Sequence, residues 1–349
     1  MTGVVHIGDR QIGGGAPVYV IAEAGSNHDR NLDQAKRLID VAAEAGADAV
    51  KFQTFAADRI VAETTTRAKY LDDLLPPDKT MSDLFRELEL PREWHAELFA
   101  HATAAGLDFL STPFDFEAID LLDGLGVKAF KVASYELWHL PLIREVASRG
   151  KPIICSTGMA DLADVQDAVD TVAAAGNDQL ILLHCVVNYP PPFEDLNLRA
   201  IQTMQTAFGV PVGYSDHSAG ITAPIVATAL GAAVIEKHYT LSRDLPGPDH
   251  RFAIEPDELA AMVRGIHDAH DALGNGIKRM APAEVDLYTT ARRSLFAARD
   301  IEPGATLADA DVAILRPGTG IEVRDLEKVI GRTARRAIGR HEPLAWDMF

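Results

Sequence analysis

The stretch PVGYSDHSAGITAPIVATALGAAVIEKH, Pro211 to His238, decides how this chain folds. It reads as a short apolar run ending in Ser215, Asp216 and His217, a helical pattern, and a second apolar run ending in Glu236, Lys237 and His238. Two strands with a helix between them make a βαβ unit. Polar residues gathered where each strand ends are misplaced for packing and well placed for chemistry, because the C-terminal ends of parallel strands are where such folds build their sites.

Outward from this unit the same alternation occurs eight times. The candidate strands are VYVIAE, DAVKFQT, LDFLSTP, AFKVAS, PIICSTG, LILLHC, PVGYSD and AVIEKH. Between them lie stretches such as LDQAKRLIDVAAEAG and LADVQDAVDTVAAAG, whose apolar residues recur at helical spacing and whose last turn closes on Gly. Strict alternation implies parallel strands with right-handed crossovers, and eight units predict an α/β fold of the closed (β/α)8 TIM-barrel type. The alternative, an open doubly wound sheet, calls for a Gly-rich first turn, whereas the first turn here is EAGSNHDRN and lacks the GxGxxG spacing. A longer insertion follows the second strand, from about Ala56 to Leu90, and in a barrel it lies on the C-terminal face as a lid over the site.

Composition narrows the function. With 33 basic and 51 acidic residues in 349, the net charge of −18 repels nucleic acid and anionic membranes. No apolar run approaches the roughly 20 residues that span a bilayer. Cys155 and Cys185 sit inside apolar runs, and the opening MTGVVHIGDR carries no signal-like segment, so the expectation is a reduced, cytoplasmic protein.

The strand ends carry the chemistry. Glu23 ends the first strand, Lys51 and Gln53 the second, Ser111 and Thr112 the third, Lys131 and Ser134 the fourth. Ser156 and Thr157 follow, then His184 with Asn188 and Tyr189, then the two clusters already quoted. Two lysines and the hydroxyls of Ser134, Ser156 and Ser215 suit a phosphate, which in so acidic a protein points to a phosphorylated anionic substrate. His217 and His238, on neighbouring strands, form a two-imidazole site for a divalent metal whose shell is completed by water and substrate oxygens. Read singly, each residue has a plainer explanation: a lysine can snorkel, a histidine can be a hydrogen-bonded core residue, and the Ser-Thr pairs can be helix-starting turns. Their coincidence at nearly every strand end favours an enzyme. His28, His101, His139, His267 and His270 read as surface or packing residues.

These residues resemble the sialic acid synthases and their relatives that make legionaminic and pseudaminic acids. The resemblance runs through EAGSNH at 23 to 28, KFQTF at 51 to 55, STPFD at 111 to 115 and FKVAS at 130 to 134. It continues through STGM at 156 to 159, GYSDHS at 213 to 218, EKHYT at 236 to 240, GPDH at 247 to 250 and RPGTGI at 316 to 321. It implies condensation of phosphoenolpyruvate with an open-chain N-acylated hexosamine such as N-acetylmannosamine, giving a nine-carbon α-keto acid and phosphate. The alternative acceptor is a 2,4-diacetamido-trideoxyhexose. By the same resemblance Lys51, Gln53, Lys131, Ser134, Ser156 and Ser215 hold phosphoenolpyruvate, His217 and His238 bind Mn2+ or Mg2+, and Glu23 is the catalytic carboxylate. Asn188, Tyr189 and Asp249 are implied sugar contacts. ASYELWHLPLI leans toward the pseudaminic branch and GPDHRF toward the sialic and legionaminic one.

From about Ser294 the pattern changes to short β-like runs with turn signals at EPG and PGTG. The expected division is a barrel over 1–282, a linker over 283–293 and a small β-rich domain over 294–349. That last domain resembles the antifreeze-like, or SAF, domain of the same family, which implies a domain-swapped homodimer in which Arg316 enters the partner's site. Its plainer role is a surface module that stabilises the dimer. Two other function classes stay open: another barrel aldolase or sugar-acid synthase, which phosphate release would discriminate, and a non-catalytic binding protein, for which absent turnover would speak.

Overall fold

The eight expected strands all form, and the period-two alternation along each of them explains both the core and the site. The computed structural model describes residues 3–62 and 80–349. The chain divides into two compact units, Met1–Gly274 and Asn275–Phe349.

The first unit opens on an antiparallel hairpin, β1 (Val5–Ile7) and β2 (Arg10–Ile12). Then come β3 (Tyr19–Gly25), α1 (Leu32–Glu44), β4 (Ala49–Thr54), α2 (Ala57–Ile60), α3 (Met81–Leu88), α4 (His95–Ala104), β5 (Asp108–Pro113) and α5 (Phe116–Leu125). There follow β6 (Phe130–Val132), α6 (Leu140–Ser148), β7 (Ile153–Ser156), α7 (Leu162–Ala174), β8 (Leu180–Cys185), α8 (Ala200–Phe208), β9 (Val212–Asp216), α9 (Thr222–Ala229), β10 (Val234–His238) and α10 (Pro256–Leu273). The strands pair in parallel in the order β5-β4-β3-β10-β9-β8-β7-β6, so the first and last strands of the sheet by sequence, β3 and β10, are neighbours. β5 and β6 lie side by side at the remaining seam, which closes the barrel.

Two apolar layers hold it. The outward side chains of the strands, such as Val20, Val50, Tyr214 and Ile235, pack under the helices. The inward ones, Tyr19, Ile21, Ala49, Leu110, Ile154, Ile181, Leu183 and Val234, fill the lower barrel with Val5, Ile7 and Ile12 of the hairpin. That hairpin was not legible as a barrel plug from its sequence. Gly213 belongs to this inner layer, and a Cβ there would meet the Val234 carbonyl oxygen at 2.3 Å, so the strands approach only because no side chain intervenes.

The expected insertion contributes α2 and α3, while its residues 63–79, and with them much of the expected lid, lie outside the described residues. The C-terminal end of α3 is tied down: Ala57 N–H donates to Glu89 Oε1 at 2.7 Å and Arg30 donates to the Arg86 carbonyl at 2.6 Å.

The second unit contains α11 (Val285–Thr290), β11 (Ser294–Ala297), β12 (Val312–Leu315) and α12 (Leu326–Val329), around Leu295, Ala297, Ile301, Leu307, Val329, Ile338 and Leu344. β11 and β12 pair antiparallel. The segment 283–293, expected as a helical linker, carries α11 and lies within the unit Asn275–Phe349. No helix among the described residues is long and apolar enough to cross a membrane.

Candidate active site

Alternation continues past the inner apolar layer. Two residues beyond Ile21 comes Glu23, beyond Ala49 come Lys51 and Gln53, beyond Leu110 comes Thr112, and beyond Ala129 comes Lys131. Ile154 is followed in this way by Ser156, Leu183 by Cys185, and Val234 by Glu236 and His238. These side chains therefore point into the barrel mouth, where a cavity of about 420 Å³ is lined by every one of them together with Ser134, Ser215, His217, Tyr189 and Asp249. That volume is in the range of small-molecule sites.

At its base lies a charge cluster of four buried groups. Lys51 Nζ is 2.8 Å from Glu23 Oε2 and 3.7 Å from Glu236 Oε1, and Lys131 Nζ is 3.6 Å from the same Glu236 oxygen. Lys51 also donates to Thr112 Oγ1 at 3.1 Å, Lys131 donates to Ser156 Oγ at 2.7 Å, and Gln53 Nε2 donates to Glu23 Oε1 at 2.8 Å. Burial lifts the Glu23 carboxyl to about 7, with Lys51 opposing and Glu236 reinforcing. For Glu236 burial also disfavours ionisation, but Lys131 and Lys51 outweigh it and hold the carboxyl below its ordinary range. Glu236 thus ties the two ammonium groups to one point. Its other oxygen, Oε2, is buried without a hydrogen-bond partner.

The two histidines face each other with ring centroids 5.3 Å apart. His217 Nδ1 lies 3.0 Å from the Val186 carbonyl, which only accepts, so Nδ1 carries a proton and Nε2 is the nitrogen left for a ligand. Cys185 Sγ sits on the same Nδ1 side, at 3.8 Å, and is therefore not on the coordinating edge. His238 Nδ1 is buried and has no hydrogen-bond partner, and burial, with His217 adding, holds this imidazole neutral by pushing its pKa well below the ordinary value. Burial disfavours a charged His217, but the neighbouring Cys185 and the Val186 carbonyl outweigh it and raise its pKa, so a divalent ion held by this pair would have to displace a proton from the His217 ring. Among the described residues no group of three or more His, Cys, Asp or Glu side chains is arranged to hold one, so further ligands must come from water or substrate.

β3 is irregular between Glu23 and Gly25, and the φ of +53° at Gly25 turns the chain so that Ser26 Oγ donates to Asp249 Oδ2 at 3.1 Å. Tyr189 packs on His217 with centroids 4.3 Å apart and on Phe252 at 4.9 Å. Asn188 is exposed and is not brought to the cavity; Val187 lines it instead, because the loop after β8 turns the Asn side chain back to accept from Tyr189 N–H at 3.0 Å. Arg316 belongs to the second unit, where it follows β12 and is exposed.

The Ser-Thr pairs are not helix caps. Asp115 caps α5 and Asp161 caps α7, whereas Ser111 bonds Thr54 Oγ1 at 2.7 Å and Thr157 donates to the Leu183 carbonyl at 2.9 Å. His139 caps α6 and His101 meets Asp40, as expected for structural histidines. Sequence reading noted Thr112 and Glu236 as strand-end residues but gave them no role, although their alternation with Leu110 and Val234 marks them as inward. It missed Cys185, Arg251 and the cavity face of α3.

Replacing Lys131 by Ala removes a buried ammonium that bonds Ser156 and faces the cavity. If Lys131 holds the phosphoenolpyruvate that the family resemblance implies, KM for that substrate rises roughly 10- to 100-fold, the cost of a charged hydrogen bond, with the KM for the implied sugar little changed. Steady-state kinetics with each substrate varied in turn checks it, and wild-type kinetics would remove Lys131 from the site.

Residues 38–278 match the NeuB family and residues 292–349 match the SAF domain. An N,N'-diacetyllegionaminic acid synthase of Legionella pneumophila is 43% identical over 333 residues, covering 94% of both chains. The crystal structure of an N-acetylneuraminic acid synthetase from Leptospira borgpetersenii, in complex with citrate, superposes with a TM-score of 0.74 at 35% identity, over 82% of this chain and 95% of that one. The spore coat polysaccharide biosynthesis protein SpsE of Bacillus subtilis, also solved, is 40% identical over 99% of each chain with a TM-score of 0.69.

Proposed function

Since the chain belongs to the NeuB family, whose members include sialic, legionaminic and pseudaminic acid synthases, we propose that it joins phosphoenolpyruvate and an open-chain N-acylated amino sugar, with water, into a nine-carbon α-keto acid and inorganic phosphate. The observation that carries this reading is the buried pair Lys51 and Lys131, with the hydroxyls of Ser134, Ser156 and Ser215, beside Glu23 and two facing imidazoles.

In this reading the lysines and serines hold the phosphate and carboxylate of phosphoenolpyruvate and aim its C3 at the aldehyde carbon. His217 and His238 would hold Mn2+ or Mg2+, which when bound polarises the aldehyde oxygen. In this reading, as the C3 to C1 bond forms, the carbonyl electrons move onto the aldehyde oxygen and C2 is left electron-poor; the Glu23 carboxylate stabilises that charge and takes a proton from the water that adds there, and that proton passes to the new hydroxyl oxygen. The resulting hemiketal phosphate loses phosphate by C–O cleavage. Phosphoenolpyruvate labelled with 18O at the bridging position therefore delivers the label to phosphate, and label retained in the keto acid would overturn this route. Chelation should abolish turnover, and added Mn2+ should restore it. Unimpaired turnover after exhaustive chelation would remove the metal from the proposal.

The homodimer belongs to the same proposal. Phe116, Tyr135, Trp138, Met159, Leu162 and Phe193 are exposed in the loops and first turns after β5 to β8, an apolar rim of the kind that marks an interface. If Arg316 serves the partner's site, mixing inactive Glu23→Gln and Arg316→Ala chains restores about a quarter of the sites by random pairing, whereas sites confined to one chain would give none.

A further inference from the structure

Behind the cavity wall, two loops of the barrel are tied together by buried polar groups to which the proposed chemistry gives no task. One is the loop after β3, from Ser26 to Asn31, and the other follows β10 and carries Asp249, His250 and Arg251. Asp249 and Arg251 line the cavity, while His250 between them is fully buried. The Asp29 carboxylate only accepts, so His250 Nε2 carries a proton and donates to both Asp29 oxygens, each 3.0 Å away. On its other side His250 Nδ1 lies 2.6 Å from Thr240 Oγ1. Gln34 Nε2 donates to Asp29 Oδ2 and to the Asn27 carbonyl, both at 2.7 Å, and Asn27 Nδ2 donates across to the Tyr239 carbonyl at 2.8 Å. The backbone is bent to make this possible. Asp29 and Arg30 take φ of +47° and +51°, an uncommon conformation for two consecutive residues with side chains, and one that persists where its surroundings enforce it. Gly247 passes so close that a Cβ there would meet Asp29 Oδ1 at 2.5 Å and the His250 ring at 2.9 Å.

What this knot holds in place is Asp249. Its Oδ2 accepts from Ser26 Oγ at 3.1 Å and stands 4.0 Å from His238 Nδ1, too far for a hydrogen bond. A shift of about 1 Å toward that ring would close the gap and consume the carboxylate, and a misplacement of this size is enough to cost a site much of its function. A loop residue is placed no better than its anchors, and the residue next to Asp249 is the one bound on both edges of its ring. The charge of Asp249 also says which substrate it serves. A carboxylate repels the anionic phosphoenolpyruvate and accepts from the hydroxyls and amide N–H of a neutral amino sugar.

We propose that Asp29 and His250 are positioning residues that act through Asp249, holding its carboxylate clear of His238 and presented to the amino sugar, a statement that rests on the synthase reading above. They touch neither substrate. Their effect falls on the sugar and leaves phosphoenolpyruvate binding untouched.

The test uses the full chain with Mn2+ and phosphoenolpyruvate and follows phosphate release. N-acetylmannosamine and the manno and altro isomers of 2,4-diacetamido-2,4,6-trideoxyhexose are offered, and the one turned over fastest serves for the variants. His250→Phe keeps a ring and loses both bonds, whereas Asp29→Asn keeps the shape and a residue that accepts the left-handed backbone, so it carries the test if His250→Phe does not fold by circular dichroism. Each is expected to raise the KM for the sugar roughly 10-fold, with the KM for phosphoenolpyruvate within about twofold of the unaltered chain. His250→Gln, whose amide still donates toward Asp29, recovers part of the loss. In an Asp249→Ala background, itself raised in sugar KM, Asp29→Asn and His250→Phe add nothing further, because the group they act through is gone. Equal rises in both KM values, a lowered melting temperature with unchanged KM, or the same factor with and without Asp249 would make the pair a structural tie only and overturn the proposal while leaving the synthase reading intact. No phosphate release by the unaltered chain with any of the three sugars would overturn both.

Discussion

Glu23→Gln is expected to lower kcat by about 100- to 10,000-fold, the range in which a positioned proton-handling group contributes, while the chain still folds and still binds Mn2+. The substitution keeps the side chain's shape between Gln53 Nε2 and Lys51 Nζ, each 2.8 Å from a carboxylate oxygen, and removes the charge and the basic oxygen together. Burial lifts the carboxyl to about 7, against the opposition of Lys51, so near neutral pH roughly half of it is ionised. The reactive form in the proposed mechanism is the carboxylate. Activity should therefore fall as pH drops through about 7, and Glu23→Gln should flatten that acid limb. A loss of activity on the alkaline side of 7 instead would make Glu23 an acid and reverse its assigned role. Retention of wild-type kcat in the variant would remove it from the chemistry altogether.

Lys237→Met carries the largest expected effect on stability. Lys237 and Asp216 point outward, on the opposite side of their strands from His217 and His238, and their charged atoms meet 2.5 Å apart under the helices with almost no exposure. Asp216 also accepts from Tyr214 Oη at 3.0 Å and from Ser218 N–H at 2.8 Å, and Lys237 donates to the Ser218 carbonyl. Removing the ammonium leaves a buried carboxylate without its counter-charge, a loss of about 3 to 5 kcal/mol, or roughly 10 °C in Tm for a domain of this size. Because the pair clamps the residue after His217 and the residue before His238, we also expect weaker Mn2+ binding in the folded variant, read by electron paramagnetic resonance. Combining Lys237→Met with Asp216→Leu should recover part of the stability, since the stranded charge is gone, but not all of it, since Tyr214 and Ser218 N–H lose their acceptor. An unchanged melting temperature in the single variant would show that the pair contributes nothing.

The chain's own pattern determined a good deal. Apolar runs of strand length alternating with helix-period segments can be satisfied only by parallel strands under a layer of helices, and eight of them close. Polar residues at the strand ends were legible as a site because period two is strict along a strand: if Ile21 and Val234 face inward, so must Glu23 and Glu236. The family motifs added roles to those positions. Tertiary structure alone decided which strand-end groups share partners. That Glu236 lies between Lys51 and Lys131, and that Lys237 turns its charge away from the cavity to Asp216, depends on register across strands far apart in sequence. The rejection of Asn188 in favour of Val187 depends on how a loop turns after β8, which local composition does not fix. The apolar face of α3 reads in sequence as an ordinary amphipathic helix. Whether such a face meets a core or an open cavity is settled only when the helix has docked, because hydrophobic burial is non-directional and the pattern records an apolar side without naming what will lie against it.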